Sequence, residues 1–124
     1  MTESEEQGIA ASCHCGAVTL RLAAAPATVT RCNCSLCRRY GVLWAYYPIA
    51  DVALSPDPLP TVTYAWNGRN VDFHHCATCG CVTHWYPRKA SRDRMGINAR
   101  LLDADVLAAA AMQYKDAAGT GQFP

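Results

Sequence analysis

Eight cysteines in 124 residues gather into three short stretches: Cys13-His14-Cys15, Cys32-Asn33-Cys34-Ser35-Leu36-Cys37 and Cys76-Ala77-Thr78-Cys79-Gly80-Cys81. Thiols one or two residues apart converge on a point, which is what a tetrahedral metal ion requires of its ligands. Eight thiols exceed one four-coordinate site. The outer stretches supply Cys13, Cys15, Cys76 and Cys79, enough for a closed, four-cysteine zinc site of the structural kind. It would join Cys15 to Cys76 across 61 positions of sequence. Gly16 and Gly80 trail these pairs, and glycine there is free to turn backbone N–H groups toward sulfur. The middle stretch offers three thiols, Cys32, Cys34 and Cys37. Three protein ligands leave one coordination position for a substrate, the catalytic arrangement of zinc. Three thiolates also weaken the ion as a Lewis acid, so such a site suits capture of an external thiol better than activation of water.

Cys81 remains over, with three readings open: a spare thiol, an exchange partner within the four-cysteine set, or a fourth ligand for the middle set. The last would close the vacant position and argue against catalysis. Among the histidines, His14 is expected to point away from the metal and His84 to pack in the core. Adjacent His74 and His75 cannot share one side of a strand, so one is expected to be exposed. Trp44, Tyr46, Tyr47, Trp66, Trp85 and Tyr86 read first as core residues, with a minority lining a pocket beside the middle cluster. Arg38 and Arg39 are either solvated surface charge or a bidentate grip on a substrate carboxylate.

These residues must be positioned by short elements. Val18, Leu20 and Leu22 alternate with Thr19 and Arg21, which predicts a half-buried strand over 11–24. Further strands are expected over 28–31, 42–49, 61–66, 71–75, 81–86 and 95–102. One helical turn is expected over 35–40 and a short alanine-rich helix over 105–112. Three prolines make 55–60 a loop, and Asn67-Gly68 predicts a hairpin turn at 67–70. The pattern is that of a mainly β single domain over 11–112, with a flexible leader at 1–10 and a loose tail at 113–124.

A formal net charge of +1 without a polybasic run argues against a nucleic-acid partner. Seven ionised thiols around two divalent ions would bring the net charge to about −2. The polar, acidic start is unlike a signal peptide, and no apolar run reaches about 18 residues, so no membrane span is expected. A reducing cytoplasm follows as the expected location. There, clustered cysteines are metal ligands more often than disulfides.

The three stretches, Ser12-Cys13-His14-Cys15-Gly16-Ala17-Val18, Cys32-Asn33-Cys34-Ser35-Leu36-Cys37-Arg38-Arg39 and Phe73-His74-His75-Cys76-Ala77-Thr78-Cys79-Gly80, together with Asn98-Ala99-Arg100-Leu101-Leu102-Asp103, resemble the glutathione-dependent formaldehyde-activating enzyme family, which includes centromere protein V-like proteins. The resemblance spans residues 11–103 and rests on three different spacings in one order. It implies small antiparallel sheets leaning together like a tent around zinc. Cys13, Cys15, Cys76 and Cys79 match that family's structural ligands, and Cys32, Cys34 and Cys37 its catalytic ones. The implied activity is that of a carbon–sulfur lyase, with a glutathione-like thiol and a small aldehyde as partners. Cys81 departs from the pattern, where a small or hydroxyl residue is usual. Two rival readings are a non-catalytic module shaped by zinc and a thiol redox switch at the middle cluster.

Overall fold

A computed structural model describes residues 8–66, 70–89 and 92–116. Among these residues there are ten strands and two short helices. They are β1 (Ile9–Ser12), β2 (Thr19–Leu22), β3 (Thr28–Cys32), α1 (Ser35–Tyr40), β4 (Trp44–Tyr47), β5 (Val52–Ser55), β6 (Thr61–Trp66), β7 (Val71–Cys76), β8 (Val82–Pro87), β9 (Met95–Asn98), α2 (Ala104–Ala109) and β10 (Ala111–Lys115). Single 3-10 turns occupy Ile49–Asp51 and Ala99–Leu101. The protein is mainly β. One sheet has three strands in the order β1-β2-β5, and the other has seven in the order β10-β3-β4-β9-β8-β7-β6.

The expected strand over 11–24 is a hairpin instead. β1 and β2 pair antiparallel, and the first cysteine pair forms the connection between them. Cys13 N–H reaches Val18 O at 3.1 Å and Gly16 N–H reaches Cys13 O at 3.2 Å, so the chain curls where a straight strand would have carried the two thiols to the same side without a turn. The alternation of Leu20 and Leu22 with Thr19 and Arg21 holds within β2, whose leucines are buried. β5, not expected from sequence, closes this sheet against β2.

In the larger sheet the pairing is antiparallel except between β10 and β3, which run parallel. The expected alanine-rich helix ends at Ala109. Ala110 is extended, Ala111 N–H donates to Ala27 O at 2.9 Å, and the chain then pairs with β3 up to Lys115. Sheet hydrogen bonding here overrides the helix preference of alanine. The strand expected over 95–102 stops at Asn98, whose side chain caps the following 3-10 turn. Ile9 and Ala10 already belong to β1, and the rest of the expected leader, except Gly8, lies outside the described residues. So do 67–69 of the expected hairpin turn and 117–124 of the expected tail.

Register divides the large sheet into two faces, because residues directly opposite one another project to the same side. Tyr46, Gly96, Trp85, Phe73 and Tyr64 form one row across β4, β9, β8, β7 and β6. Ala45, Ile97, His84, His74 and Thr63 form the next, on the opposite face. The second face packs its Ala45 and Ile97 with Val29, Leu20 and Leu22, joining the two sheets in one core. The first face carries a separate cluster of Trp44, Phe73, Trp85, Val42 and Val71, and it contains Cys32, Cys34 and Cys37.

Candidate metal centres

Two groups of thiols are able to hold a metal ion: Cys13, Cys15, Cys76 and Cys79, and Cys32, Cys34 and Cys37. Within each group the sulfurs all lie within 4.8 Å of one another.

The four-thiol group is assembled by the turn between β1 and β2 and the turn between β7 and β8. Cys13 and Cys15 bring their Sγ atoms to 3.7 Å, and Cys15 meets Cys76 at 3.6 Å. Four sulfurs about 2.3 Å from a central zinc ion would be about 3.8 Å apart at the tetrahedral angle. A disulfide would need about 2.05 Å, and all eight cysteines are free. The donor set therefore fits a tetrahedral thiophilic ion. Both turns are built alike. Gly16 and Gly80 each have φ of +83°, and Gly80 N–H returns to Cys76 O at 3.0 Å as Gly16 does to Cys13. Val18 N–H points at Cys13 Sγ (3.3 Å), and the N–H groups of Thr78 and Cys79 point at Cys76 Sγ (3.4 and 3.5 Å). Such donors stabilise thiolate charge. The backbone N–H groups of Cys81 and Cys15 do the same for Cys79, whose thiol is drawn down to about 5.

The three-thiol group sits where β3 gives way to α1. Cys32 ends β3, Cys34 caps α1 and Cys37 lies within it, all three buried. Cys34 takes the place of the usual serine or aspartate cap, its sulfur accepting the Cys37 N–H at 3.3 Å. Gly41, with φ of +70°, ends the helix. Trp44 Nε1 donates to Cys37 Sγ at 3.3 Å. A hydrogen bond from the Cys37 thiol brings Cys32 down to about 6, and that same bond, together with burial, raises the Cys37 thiol above its ordinary value. Three sulfurs at such a spacing fit one ion and supply three of four tetrahedral positions.

Cys81 belongs to neither group. It lies half-buried beside Cys79 and lines a cleft of about 610 Å³ with His75, Arg39 and Arg100. It does not complete the three-thiol group. No histidine joins either group among the described residues. His14 is exposed and His84 buried, as expected. Neither His74 nor His75 is exposed; both are half-buried, and an irregularity in the β7–β8 register falls between them. His74 stacks on His84 with centroids 4.1 Å apart, and the two Nδ1 atoms lie 2.8 Å from Thr61 and Thr83 hydroxyls respectively. Burial drives His84 down to about 3 and lowers His74.

The sequence places Trp44 in the core or a pocket and gives no sign of its hydrogen bond to Cys37. Tryptophan seven positions after a cysteine carries no such signal without the β3–β4 pairing that sets Thr30 opposite Trp44. Arg31 is a further neighbour of the three-thiol group that sequence reasoning missed, and Arg100, which the sequence shows only as a polar position in the stretch Asn98–Asp103, is another. With Arg38 they line a smaller cleft, about 140 Å³, whose wall includes Cys32 and Cys37.

Residues 8–116 match the sequence model of a family described as glutathione-dependent formaldehyde-activating enzyme. The fold is similar to the crystal structure of a Rhodobacter sphaeroides protein, with TM-score 0.67 and 28% identity over 85% of this chain and 100% of that one.

Proposed function

We propose, on the premise that this chain belongs to the glutathione-dependent formaldehyde-activating enzyme family, that it is a zinc-dependent carbon–sulfur lyase acting on the adduct of a glutathione-like thiol and a small aldehyde. In this reading Cys13, Cys15, Cys76 and Cys79 hold a structural zinc ion, and Cys32, Cys34 and Cys37 hold a catalytic one. In the direction of synthesis the thiol sulfur adds to the aldehyde carbon, a carbon–sulfur bond forms, and the thiol proton ends on the former carbonyl oxygen. With glutathione and formaldehyde the product is S-hydroxymethylglutathione, and the lyase direction reverses each change. Zinc held by Cys32, Cys34 and Cys37 would supply an open Lewis-acid position that favours the thiolate form of a thiol substrate.

The chain's own residues do the rest. Cys32, Cys34 and Cys37 are ligands, not nucleophiles. Trp44 Nε1 and the Cys37 N–H each point at one of these sulfurs, which tempers their charge and fixes their direction. Phe73, Trp85 and Val42 pack around the thiols and keep water from the buried side. A reducing cytoplasm suits free thiols and a thiol substrate.

The single observation that carries this reading is the separation of the sulfurs into a group of four and a buried group of three. Metal content and turnover of the full chain, as wild type and as Cys34→Ser, test it. Serine is itself a strong helix cap, so α1 keeps its N-terminus. The expected result is about two zinc ions per wild-type chain, one in the variant with the fold intact, and loss of thiol–aldehyde condensation in the variant alone. One ion in both proteins would overturn the two-site reading. Two sites without condensation would leave a zinc-shaped binding module.

A further inference from the structure

Cys81 stands outside both thiol groups, yet its surroundings are those of the four-thiol group. The hydrophobic cluster that holds Cys13 and Cys76 also packs Cys79 and Cys81, whereas Cys32, Cys34 and Cys37 lie in the other cluster. Two backbone bonds curl the chain between Cys76 and Cys81. Cys76 N–H reaches Cys81 O at 2.9 Å, and Gly80 N–H reaches Cys76 O at 3.0 Å. The turn so formed sets the thiols of Cys79 and Cys81 side by side, in hydrogen-bonding contact. Facing them is the turn that carries Cys13 and Cys15. Its successive amides serve the two sulfurs in order: Cys15 N–H points at Cys79, and His14 N–H points at Cys81. A backbone donor aimed at sulfur is the same support that Cys13 receives from Val18, and Cys76 from Thr78 and Cys79. Cys81 thus has the setting of a ligand without the place of one.

The four ligands differ in shelter. Cys13 and Cys76 are buried, Cys79 is half-buried and Cys15 is exposed. The sulfurs in contact with Cys15 are those of Cys13, Cys76 and Cys79, all within the group already. Cys79 has in addition a fifth thiol beside it. Only Gly80 separates the two, with φ of +83° and no atom within 4 Å of where a Cβ would be, so this link can turn without displacing a neighbour. We propose that Cys81 is a reserve ligand of the four-thiol site, which takes the fourth position beside Cys13, Cys15 and Cys76 when Cys79 is withdrawn or chemically blocked. In the exchange the bond from the Cys79 sulfur breaks and one from the Cys81 sulfur forms. The proton of the Cys81 thiol passes to Cys79, so the charge at the site is unchanged. When Cys79 is blocked, that proton goes to solvent instead. The junction between the two sheets then outlasts the loss of a half-exposed ligand. The inference rests on an ion held by the four-thiol group and is independent of the lyase reading.

The test is zinc content and chelator competition of the full chain, as wild type, Cys79→Ser, Cys81→Ser, the double variant of both, and Cys15→Ser. Cys15→Ser removes an exposed ligand that has no further thiol to replace it, and serves as the control. Cys79→Ser is expected to keep the ion of this site with an affinity within about tenfold of wild type, and Cys15→Ser to weaken it by about a hundredfold or more. Cys81→Ser is expected to match wild type, and the double variant to fall with Cys15→Ser. Cobalt in place of zinc counts the thiolate ligands, because the sulfur-to-metal charge-transfer band grows with their number. Cys79→Ser should show a band as intense as that of wild type, a reading that holds even where the double variant does not fold. A Cys79→Ser chain that loses the ion as readily as Cys15→Ser, or shows a weaker cobalt band than wild type, would overturn the proposal. So would a double variant that binds as firmly as Cys79→Ser. A wild-type chain with no ion at Cys13, Cys15, Cys76 and Cys79 would refute the two-site reading itself, whereas a wild type that holds the ion beside a Cys79→Ser chain that does not refutes the reserve ligand alone.

Discussion

At the scale of single residues, the donors around the sulfurs matter as much as the sulfurs. Trp44 Nε1 and the Cys37 N–H both point at sulfurs of the three-thiol group. Trp44→Phe keeps a buried aromatic ring and removes the first of these donors. It is expected to weaken metal binding at this site by about tenfold or more, a common effect of losing a hydrogen bond to a ligand. Competition with a chelator should show one ion released earlier and the other unchanged; identical release from wild type and variant would remove Trp44 from this role. His84 gives a second prediction. Its imidazole is kept neutral by burial, with a folded value of about 3 against about 6.5 for a free histidine. The depressed value means that stability from this residue is complete above about pH 6.5 and is lost as pH falls from there toward about 3, because the unfolded chain takes the proton first. Between pH 7 and pH 5 the expected loss is about 2 kcal/mol. Protonation of metal-binding thiols adds its own slope, so the informative quantity is the difference between wild type and His84→Gln in denaturation over that interval. Parallel pH profiles would contradict the assignment.

At the scale of elements, the glycines separate two kinds of constraint. Gly80 and Gly16 lie in turns with positive φ and open space around the missing side chain. Gly96 is in a regular strand, yet a Cβ there would fall 2.2 Å from Trp85 Nε1, because the indole lies across β9. Gly96→Ala therefore demands that a buried tryptophan move, and the ring of Tyr46 already packs against it with centroids 6.1 Å apart. The expected cost is about 1–3 kcal/mol, as for other overpacked cores, with a changed tryptophan fluorescence as its signature. Gly80→Ala meets only backbone strain, about 1 kcal/mol, and should leave that fluorescence unchanged. A Gly96→Ala protein as stable as wild type would mean that the indole does not occupy this space. Elements also explain where periodicity misleads. The alternation in β2 is legible, but the turn made by Cys13 and Cys15 is hidden within an apparently continuous strand. The alanines after Ala109 read as helix because their propensity is local, whereas the partner that makes β10 a strand is β3, more than 80 positions earlier, with Thr28 opposite Ala111.

At the scale of the whole molecule, the two thiol groups have different structural weight. The four-thiol group ties the β1–β2 turn of the small sheet to the β7–β8 turn of the large one. Without an ion, four thiols at contact distance would have to share protons or separate, and the junction between the sheets would loosen. The three-thiol group lies within one face of one sheet, against α1. Stepwise removal of metal is therefore expected to have two stages. The ion at Cys32, Cys34 and Cys37 should leave first with near-native circular dichroism, since an open site binds less firmly than a closed one. Loss of the second should unfold the chain, because metal-binding energy is folding energy in small domains. Thermal melts at each metal content would show this, and a single cooperative loss of both ions together with structure would speak against it.

What the chain's order of residues determined alone is local: the close pairing of Cys13 with Cys15, of Cys76 with Cys79 and of the three middle cysteines, and the glycines that trail the outer pairs. Covalent geometry decides those matters over two or three residues, so spacing is sufficient. The meeting of Cys15 with Cys76 across 61 positions is expected from the number of donors alone. What only the tertiary structure decided is that Arg100 reaches Gly41 across 59 positions and that Cys81 joins neither thiol group although it follows Cys79 by two. These contacts depend on strand order and register, where a shift of one residue sends a side chain to the opposite face. Alternation along one strand shows which of its side chains are buried, but the partner strand and its offset are set only when the strands pair.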